Sequence, residues 1–79
     1  MKHIETFEQT RPANNWRQLF RQVANWEPSR RPRYRHKLGG EIWRLDEVSK
    51  DGVVLGQDGT PATRRLTCAS FERDYINVG

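Results

Sequence analysis

The sequence has one cysteine, Cys68, and no long apolar run. A single cysteine excludes an intramolecular disulfide and a cysteine-based zinc site. No window approaches the roughly 20 consecutive apolar residues that a membrane span needs. Residues 1–8 also lack the apolar segment and the small-residue cleavage site of a secretory signal. We therefore expect a soluble, cytoplasmic protein that has no membrane partner.

Residue types that carry catalysis are also scarce and scattered. His3 and His36 are the only histidines, and nothing in their spacing brings them together with Cys68. Asp46 and Glu47 lie near the end of a strand pattern and do not form a catalytic carboxylate pair. The glycines fall in turns, and no Gly-Lys-Ser/Thr run follows them to hold a phosphate. We expect no enzyme activity, no metal site and no cofactor.

The length and composition favour one small domain with an aromatic core. A chain of 79 residues buries only about 60% of the surface that its unfolded form exposes, which is too little for two independent cores. Hydrophobic residues make up 34% of the chain and the mean hydropathy is −0.98. Residues 1–13 have no sustained period and are predicted to be a flexible arm. Residues 14–79 are predicted to form the single domain.

An amphipathic helix is predicted over residues 14–26. Its apolar stripe follows the i, i+3, i+4, i+7, i+8 pattern and consists of Trp16, Leu19, Phe20, Val23 and Ala24. Asn14 or Asn15 supplies a side chain of the type that caps a helix N-terminus. Pro28 disfavours helical geometry at the residue before it, so the helix should end near Trp26.

The β-rich part is predicted over residues 33–79 and begins with an alternating strand. One face of this strand carries Tyr34, His36 and Leu38. The opposite face carries Arg33, Arg35 and Lys37. Strict alternation of this kind is typical of a half-buried strand, so the solvent face of the strand should be entirely cationic.

A hairpin over residues 40–55 forms the centre of the predicted sheet. Runs rich in β-branched and aromatic residues flank Asp51 and Gly52, and an Asp-Gly pair in that setting is a strong hairpin signal because glycine accepts a positive φ. If the strand alternates, Trp43 and Leu45 point inward. The register of this hairpin should therefore be well specified.

The C-terminal third predicts a strand, a helix and a last short strand. A strand is expected from Thr63 to Leu66, and Pro61 before it favours an edge position. Thr67 is a suitable N-cap for a helix over Cys68 to Tyr75. Residues 76–78 then add the last strand. These elements predict an α+β fold, in which four or five short antiparallel strands form a small, partly open barrel or a curled sheet.

The segment from Gly40 to Val78 resembles short phage- and plasmid-type proteins that have an SH3-like barrel. The similarity rests on a glycine, a strand with Trp43, an Asp-Gly turn, a Val-Val-Leu strand and a helix with the Phe71-Glu72-Arg73-Asp74-Tyr75 pattern. The resemblance implies an SH3-like fold and a mobile-element origin. The Val-Gln-Ile-Tyr strand of plasmid-borne type II dihydrofolate reductases, which share this barrel, does not occur here, so the resemblance does not imply that activity.

Basic residues concentrate between Arg11 and Arg44, where nine of them accompany two acidic residues and give a local charge of +7. The planar guanidinium group donates two parallel hydrogen bonds to a phosphate, so such a cluster indicates nucleic-acid binding. The candidate contact residues are Arg17, Arg21, Arg30, Arg31, Arg33, Arg35 and Lys37. Alternatively, these arginines are solvated, with some of them paired to Asp46, Asp51 or Glu72.

Trp26 and Tyr34 are the candidate residues for stacking on nucleic-acid bases. Trp26 lies at the predicted helix end, near Pro28, and the sequence does not decide whether its ring lies in the core or at the surface. Tyr34 lies inside with Leu38 if the strand alternates, or outside if it joins the neighbouring arginines. Tryptophans in so short a chain usually belong to the core, and we expect this of Trp16 and Trp43.

These patterns predict a small non-enzymatic protein of a mobile genetic element that binds DNA or RNA through a basic surface. The alternative is a protein-protein interaction module or inhibitor that binds an acidic host protein. A homodimer formed through the helix and exposed strand edges is compatible with both interpretations.

Overall fold

The computed structural model describes residues 16–79, so the predicted arm at 1–13 and the caps Asn14 and Asn15 lie outside the described residues. We name the elements in chain order. They are α1 (Trp16–Leu19), two short 3₁₀ helices (Val23–Asn25 and Pro28–Arg30), β1 (Arg33–His36), β2 (Ile42–Ser49), β3 (Gly52–Gly56), β4 (Thr63–Leu66), α2 (Cys68–Asp74) and β5 (Tyr75–Asn77).

The five strands form one antiparallel sheet in the order β4-β3-β2-β1-β5. Strands β1 to β4 follow one another as a meander, and β5 returns to pair with β1. The sheet does not close into a barrel, because the edge strands β4 and β5 are not paired with each other. A side-chain hydrogen bond from Arg64 Nη1 to the Tyr75 hydroxyl, 2.6 Å long, spans the gap. The α+β class and the edge position of β4 are confirmed.

The β2–β3 hairpin turns one residue earlier than the Asp-Gly pair suggests. Ser49 pairs with Gly52, so Lys50 and Asp51 form the turn and Gly52 begins β3. Gly52 has a φ of +151°, and a Cβ atom there would lie 2.2 Å from the Leu66 carbonyl oxygen of the adjacent strand. Glycine is thus required by both the backbone angle and the close approach of β4.

A β-bulge interrupts the alternation of β2. The register with β3 shifts between Leu45 and Glu47, so Leu45 and Val48 both point into the core although they are three residues apart. Asp46 lies on the outer face of the sheet as alternation requires, and the bulge leaves Glu47 exposed as well. Bulges of this kind redirect a side chain without ending the strand. The expected inward direction of Trp43 and Leu45 is confirmed.

The core lies on the inner face of the sheet and is built around aromatic rings. Phe71 of α2 contacts Trp16, Tyr34 and Tyr75, with ring centroids 5.0, 4.6 and 5.6 Å apart. Burying several large rings together gives a small domain much of its apolar area. Trp16 and Trp43 are both buried, as the sequence predicted.

The helical segment differs from the continuous helix predicted over 14–26. The Phe20 N–H still bonds to the Trp16 carbonyl, four residues back, but from Arg21 onward the backbone hydrogen bonds connect residue i to i−3, as from Val23 to the Phe20 carbonyl at 3.0 Å. A 3₁₀ segment has three residues per turn, so the apolar positions that face the sheet change. Trp16 and Val23 remain buried and Val23 lies against β2, whereas Leu19 is exposed.

Strand β1 ends at His36, two residues earlier than predicted. Ile42 of β2 pairs with Arg35 of β1, and residues 37–39 form a turn between the two strands. Leu38 is therefore 94% exposed and not in the core, and Lys37 belongs to the turn and not to the cationic strand face. His36 is half-buried, as expected, and its ring packs edge-on against Tyr75.

The C-terminal helix follows the sequence prediction closely. The Thr67 side chain accepts a 3.1 Å hydrogen bond from the Ser70 backbone N–H and so caps α2. Cys68 and Phe71 are the buried residues of this helix. Within residues 16–79, no helix has the length and apolar character needed to cross a membrane.

Candidate nucleic-acid interface

The outer face of the sheet carries most of the candidate site residues in β1. Arg33 lies beside Arg44 of β2, and Arg35 lies between Ile42 of β2 and Ile76 of β5. Because side chains alternate along a strand, these five residues share the face opposite the aromatic core. The cationic solvent face that the sequence predicts for β1 is therefore present at Arg33 and Arg35.

Two of the predicted arginines, Arg31 and Arg33, are however bound within a network of ion pairs that also includes Arg44. Arg31 donates from Nη1 to Asp46 Oδ1 at 3.0 Å, and Arg44 donates to both oxygens of the same carboxylate through Nε and Nη2. Arg31 also donates to the carbonyl oxygens of Ala24 and Trp26, at 2.9 and 3.0 Å. This side chain thereby fastens the end of the helical segment to the sheet.

The network continues through Asp58, in the turn between β3 and β4. Arg33 donates to its two oxygens from Nε and Nη2, at 2.9 and 3.1 Å, and Arg44 donates from Nη1 to Oδ1 at 2.8 Å. Three arginines and two carboxylates thus form a continuous ladder with a net charge of +1. We call it the ion-pair ladder, and its members are Arg31, Asp46, Arg44, Asp58 and Arg33.

A glycine makes room for the ladder. A Cβ atom on Gly56 would lie 2.4 Å from both Arg44 Nη2 and Asp46 Oδ2. The Arg44–Asp46 pair therefore lies directly over the backbone of β3. Only a residue without a side chain leaves this position clear.

The hydrogen bonds of the ladder shift the pKa values of three of its members. Hydrogen bonds from Arg44 and Arg33 hold the pKa of Asp58 below its ordinary value. Burial alone would raise the pKa of Asp46, but hydrogen bonds from Arg44 and Arg31 outweigh burial and lower that pKa. The hydrogen bond to Asp46 raises the pKa of Arg44. Each of these three shifts favours the charged form of its group.

The remaining candidate cations are open to solvent or partly so. Four of them make no ion pair with a carboxylate within residues 16–79: Arg21, Arg30, Arg35 and Lys37. Arg17 makes one loose contact, 3.4 Å from its Nη2 to Glu72 Oε2. The predicted basic surface is therefore divided: these cations are available to a ligand, whereas Arg31 and Arg33 are paired within the ladder.

The two candidate stacking residues have different positions. Tyr34 is buried and packs against Phe71, so its ring faces the core and not the arginines. Burial also raises the pKa of its hydroxyl, an effect that a hydrogen bond with Asn77 only partly offsets. Trp26 is 36% exposed and packs edge-on against Phe20. Only Trp26 of the two presents a surface to a ligand.

Trp26 and Arg30 line the same cleft, which has a volume of about 440 Å³. Glu27 completes the described lining. The 3₁₀ helix Pro28–Arg30 fixes this arrangement, because it brings Arg30 back beside Glu27 through a 2.8 Å backbone hydrogen bond. An aromatic ring and a cation beside it are the components of a stacking and phosphate-binding site.

Part of the ladder could be predicted from the sequence. Asp46 was among the acids considered as arginine partners, and alternation around Trp43 and Leu45 places its neighbour Arg44 on the outer face. Asp58 was not predicted as a partner, because it lies in a turn 25 positions from Arg33. Its Gly-bounded turn signals a change of direction, but it does not show which strand the carboxylate will face.

Other chemistry is limited in the part of the chain that the structure describes. No three His, Cys, Asp or Glu side chains of residues 16–79 lie close enough together to hold a metal ion. Cys68 is buried, and its Sγ lies 3.8 Å from the Ser49 carbonyl oxygen.

Comparisons of this chain with family models, with curated proteins and with solved structures give no match.

Proposed function

We propose that this protein binds DNA or RNA without enzymatic activity, through phosphate contacts made by its open cations. The observation that carries the proposal is the cleft in which exposed Trp26 lies beside Arg30. A tryptophan face stacks on any base, and an adjacent guanidinium contacts the backbone, so binding there requires little base recognition. A mobile genetic element is the proposed origin, and the bacterial cytoplasm the proposed location.

The division of the arginines sets the expected strength of binding. Four open cations neutralise about four phosphates, so log affinity should fall with log salt at a slope of roughly −3 to −4 on duplex DNA. The full set of seven candidate cations would give a slope near −6 by the same rule. The salt dependence therefore reports how many arginines are available.

Fluorescence anisotropy with labelled DNA and RNA of about 20 nucleotides, across a series of salt concentrations, tests the proposal. Arg30→Glu should weaken binding about tenfold or more at low salt, because it removes one contact and adds a repulsive charge. Arg73→Glu is the matched control, since Arg73 is exposed on α2 and already paired with Asp74. Absence of binding at low salt, or an equal loss in both variants, overturns the proposal.

We also propose that the sheet is a partly open SH3-like barrel. The meander of four strands, the helix after β4 and the return of β5 to β1 support this assignment. The hydrogen bond between Arg64 and Tyr75 supports a curvature that brings the two edges toward each other. Nuclear Overhauser contacts between Arg64 and Tyr75 in solution should be present if the curvature is right.

A second candidate function is a protein-protein interaction module that binds an acidic partner. Ile42, Ile76 and Val78 are exposed large apolar residues, and Arg35 lies between the two isoleucines on the outer face. An apolar patch around an open cation suits a partner that presents a carboxylate among apolar side chains. The same face would serve a homodimer if the second copy supplied the carboxylate.

The two candidates predict different responses to substitution. Ile76→Ser should abolish binding of a protein partner, or dimerisation measured by light scattering, and leave nucleic-acid affinity within about twofold. Arg30→Glu should do the reverse. If Ile76→Ser weakens nucleic-acid binding as strongly as Arg30→Glu does, the division into two surfaces is wrong.

A further inference from the structure

The carboxylate of Asp58 occupies a socket made by two guanidinium groups. Three donors converge on it: Arg33 Nε and Nη2 at 2.9 and 3.1 Å, and Arg44 Nη1 at 2.8 Å. Forked donors of this kind match the oxygens of a carboxylate and of a phosphate equally well. The socket is therefore chemically a site for an oxyanion, at present filled by the protein's own acid.

Arg33 is held in place without Asp58. Its Nη1 donates to the Pro28 carbonyl oxygen at 3.2 Å and also to the Arg31 carbonyl oxygen. Only 23% of its side chain is exposed. The guanidinium plane is thus fixed by backbone acceptors on one side, and its Nε and Nη2 hydrogens remain directed at the socket.

Arg44 is held in the same way by a different group. Asp46 accepts hydrogen bonds from its Nε and Nη2, so only Nη1 reaches Asp58. The Arg44 side chain is 17% exposed and lies over Gly56. Departure of the Asp58 carboxylate would leave both arginines oriented, and a preorganised site of this kind binds its ligand with little ordering cost.

Asp58 itself is the exposed member of the cluster. Its side chain is 57% exposed, and among residues 16–79 its carboxylate pairs only with the two arginines. It lies in a tight turn between β3 and β4, beside Gly59, whose φ is +81°. A rotation of this one side chain into solvent would open the socket and move no strand.

We propose that Arg33 and Arg44 form a phosphate-binding site, and that Asp58 competes for this site until a phosphate group displaces it. With Asp58 turned away, the ladder carries a net charge of +2, which attracts an anion. Assigning the phosphate to a nucleic-acid backbone rests on the proposed function. The site then adds one contact to those of the open cations, and it is weakened in the wild-type protein by the internal carboxylate.

Asp58→Asn tests the site directly, with inorganic phosphate as the probe and the ¹⁵N–¹H signals of the arginine Nε groups as the readout. Phosphate should shift the Arg33 Nε signal in this variant at a concentration about tenfold or more below that needed for the wild type. Asp74→Asn is the matched control, because it removes the same charge from a partly exposed acid whose one ion pair among residues 16–79 is with its neighbour Arg73. This control should respond to phosphate as the wild type does.

Asp58→Ala provides a second variant in which no amide replaces the carboxylate, and it should show the same gain. Retention of the wild-type amide spectrum establishes that each variant is folded. If neither Asp58 variant binds phosphate more tightly than Asp74→Asn, Asp58 is only a structural ion-pair partner and the inference is overturned.

Anisotropy with labelled DNA and RNA separates this inference from the proposed function. Asp58→Asn should bind several-fold more tightly than Asp74→Asn, and its log–log salt slope should be steeper by about one. If the wild-type protein binds nucleic acid but Asp58→Asn shows neither the tighter binding nor the steeper slope, the inference is overturned and the proposed function stands. A phosphate-induced shift at Arg33 without binding of either nucleic acid overturns the proposed function, and the phosphate then comes from another source.

Discussion

Consecutive arginines in this protein have opposite surroundings. Arg30 is exposed beside Trp26, whereas Arg31 is mostly buried and makes hydrogen bonds to Asp46 and to two backbone carbonyls. Arg33 and Arg35 differ in the same way although they share a strand face, since only Arg33 is paired with an acid of the ladder. The comparison shows that strand alternation determines the direction of a side chain, but acids from distant parts of the chain determine whether its charge is available.

The largest expected contrast is in stability. Arg31→Ala should lower the free energy of unfolding by about 1–3 kcal/mol, because it removes a mostly buried ion-pair partner and leaves two carbonyl oxygens without their donor. Arg30→Ala should change it by less than about 0.5 kcal/mol. Urea unfolding followed by tryptophan fluorescence measures both. Equal effects would show that the network around Arg31 does not stabilise the fold.

Gly56→Ala tests the ladder without removing any of its charges. The added methyl group would collide with the Arg44–Asp46 pair, so we expect a loss of about 1–2 kcal/mol in unfolding free energy. Gly39→Ala is the control, because the three atoms nearest to the added methyl group there all belong to the side chain of exposed Glu41, which is free to move. A loss in Gly39→Ala as large as in Gly56→Ala would contradict this account.

The ladder also predicts how the free energy of unfolding depends on pH. Asp46 and Asp58 have lowered pKa values in the folded protein, so the unfolded chain binds protons first as the pH falls. Their stabilising contribution is complete above the ordinary carboxyl pKa of about 4 and is lost as the pH falls through the folded values. Unfolding free energy measured between pH 6 and pH 2 should therefore decline below about pH 4.

Two substitutions divide this acid dependence between the carboxylates. Asp46→Asn should flatten the pH profile more than Asp58→Asn does, because the more exposed Asp58 is better screened by solvent. A steeper profile in either variant would contradict the assignment.

At Arg35 the expected effect on stability is as small as at Arg30. Arg35→Ala should change the unfolding free energy by less than about 0.5 kcal/mol, since Arg35 has no ion-pair partner among the described residues. Its nucleic-acid affinity should fall about three- to tenfold at low salt, with a salt slope shallower by about one. Unchanged affinity would place Arg35 outside the interface and leave the patch around Ile42 as a protein-binding surface.

Much of the fold was predictable from local sequence patterns. The Thr63–Leu66 strand and the Thr67 cap of α2 lie where predicted, because a β-rich run and a capping hydroxyl act over a few residues. The β2 bulge was not predicted, although two consecutive polar residues lie between Leu45 and Val48 at the point where the register shifts. The end of β1 was not readable, since Leu38 continues the alternation but the chain has already turned.

The candidate site was less predictable than the fold. Charge clustering identified the right segment, and alternation placed Arg33 and Arg35 on the right face. Neither pattern showed that Asp58 would reach Arg33 from a turn 25 residues away, because no local rule fixes where that turn lies relative to β1. Tyr34 points into the core, as alternation predicts, and not outward with Arg33 and Arg35, because burial of its aromatic ring is favourable.

By itself, the sequence determined which residues can build a core, that glycine-bounded turns separate the strands, and that a surplus of arginine lies between Arg11 and Arg44. These properties follow from periodicity and composition, which act along the chain. Only the tertiary structure decided that Arg31 and Arg33 pair with acids of the ladder while Arg30 and Arg35 make no ion pair among the described residues. The physical reason is that an ion pair depends on the distance between two side chains, and the sheet brings Asp46 and Asp58 to some arginines and not to others.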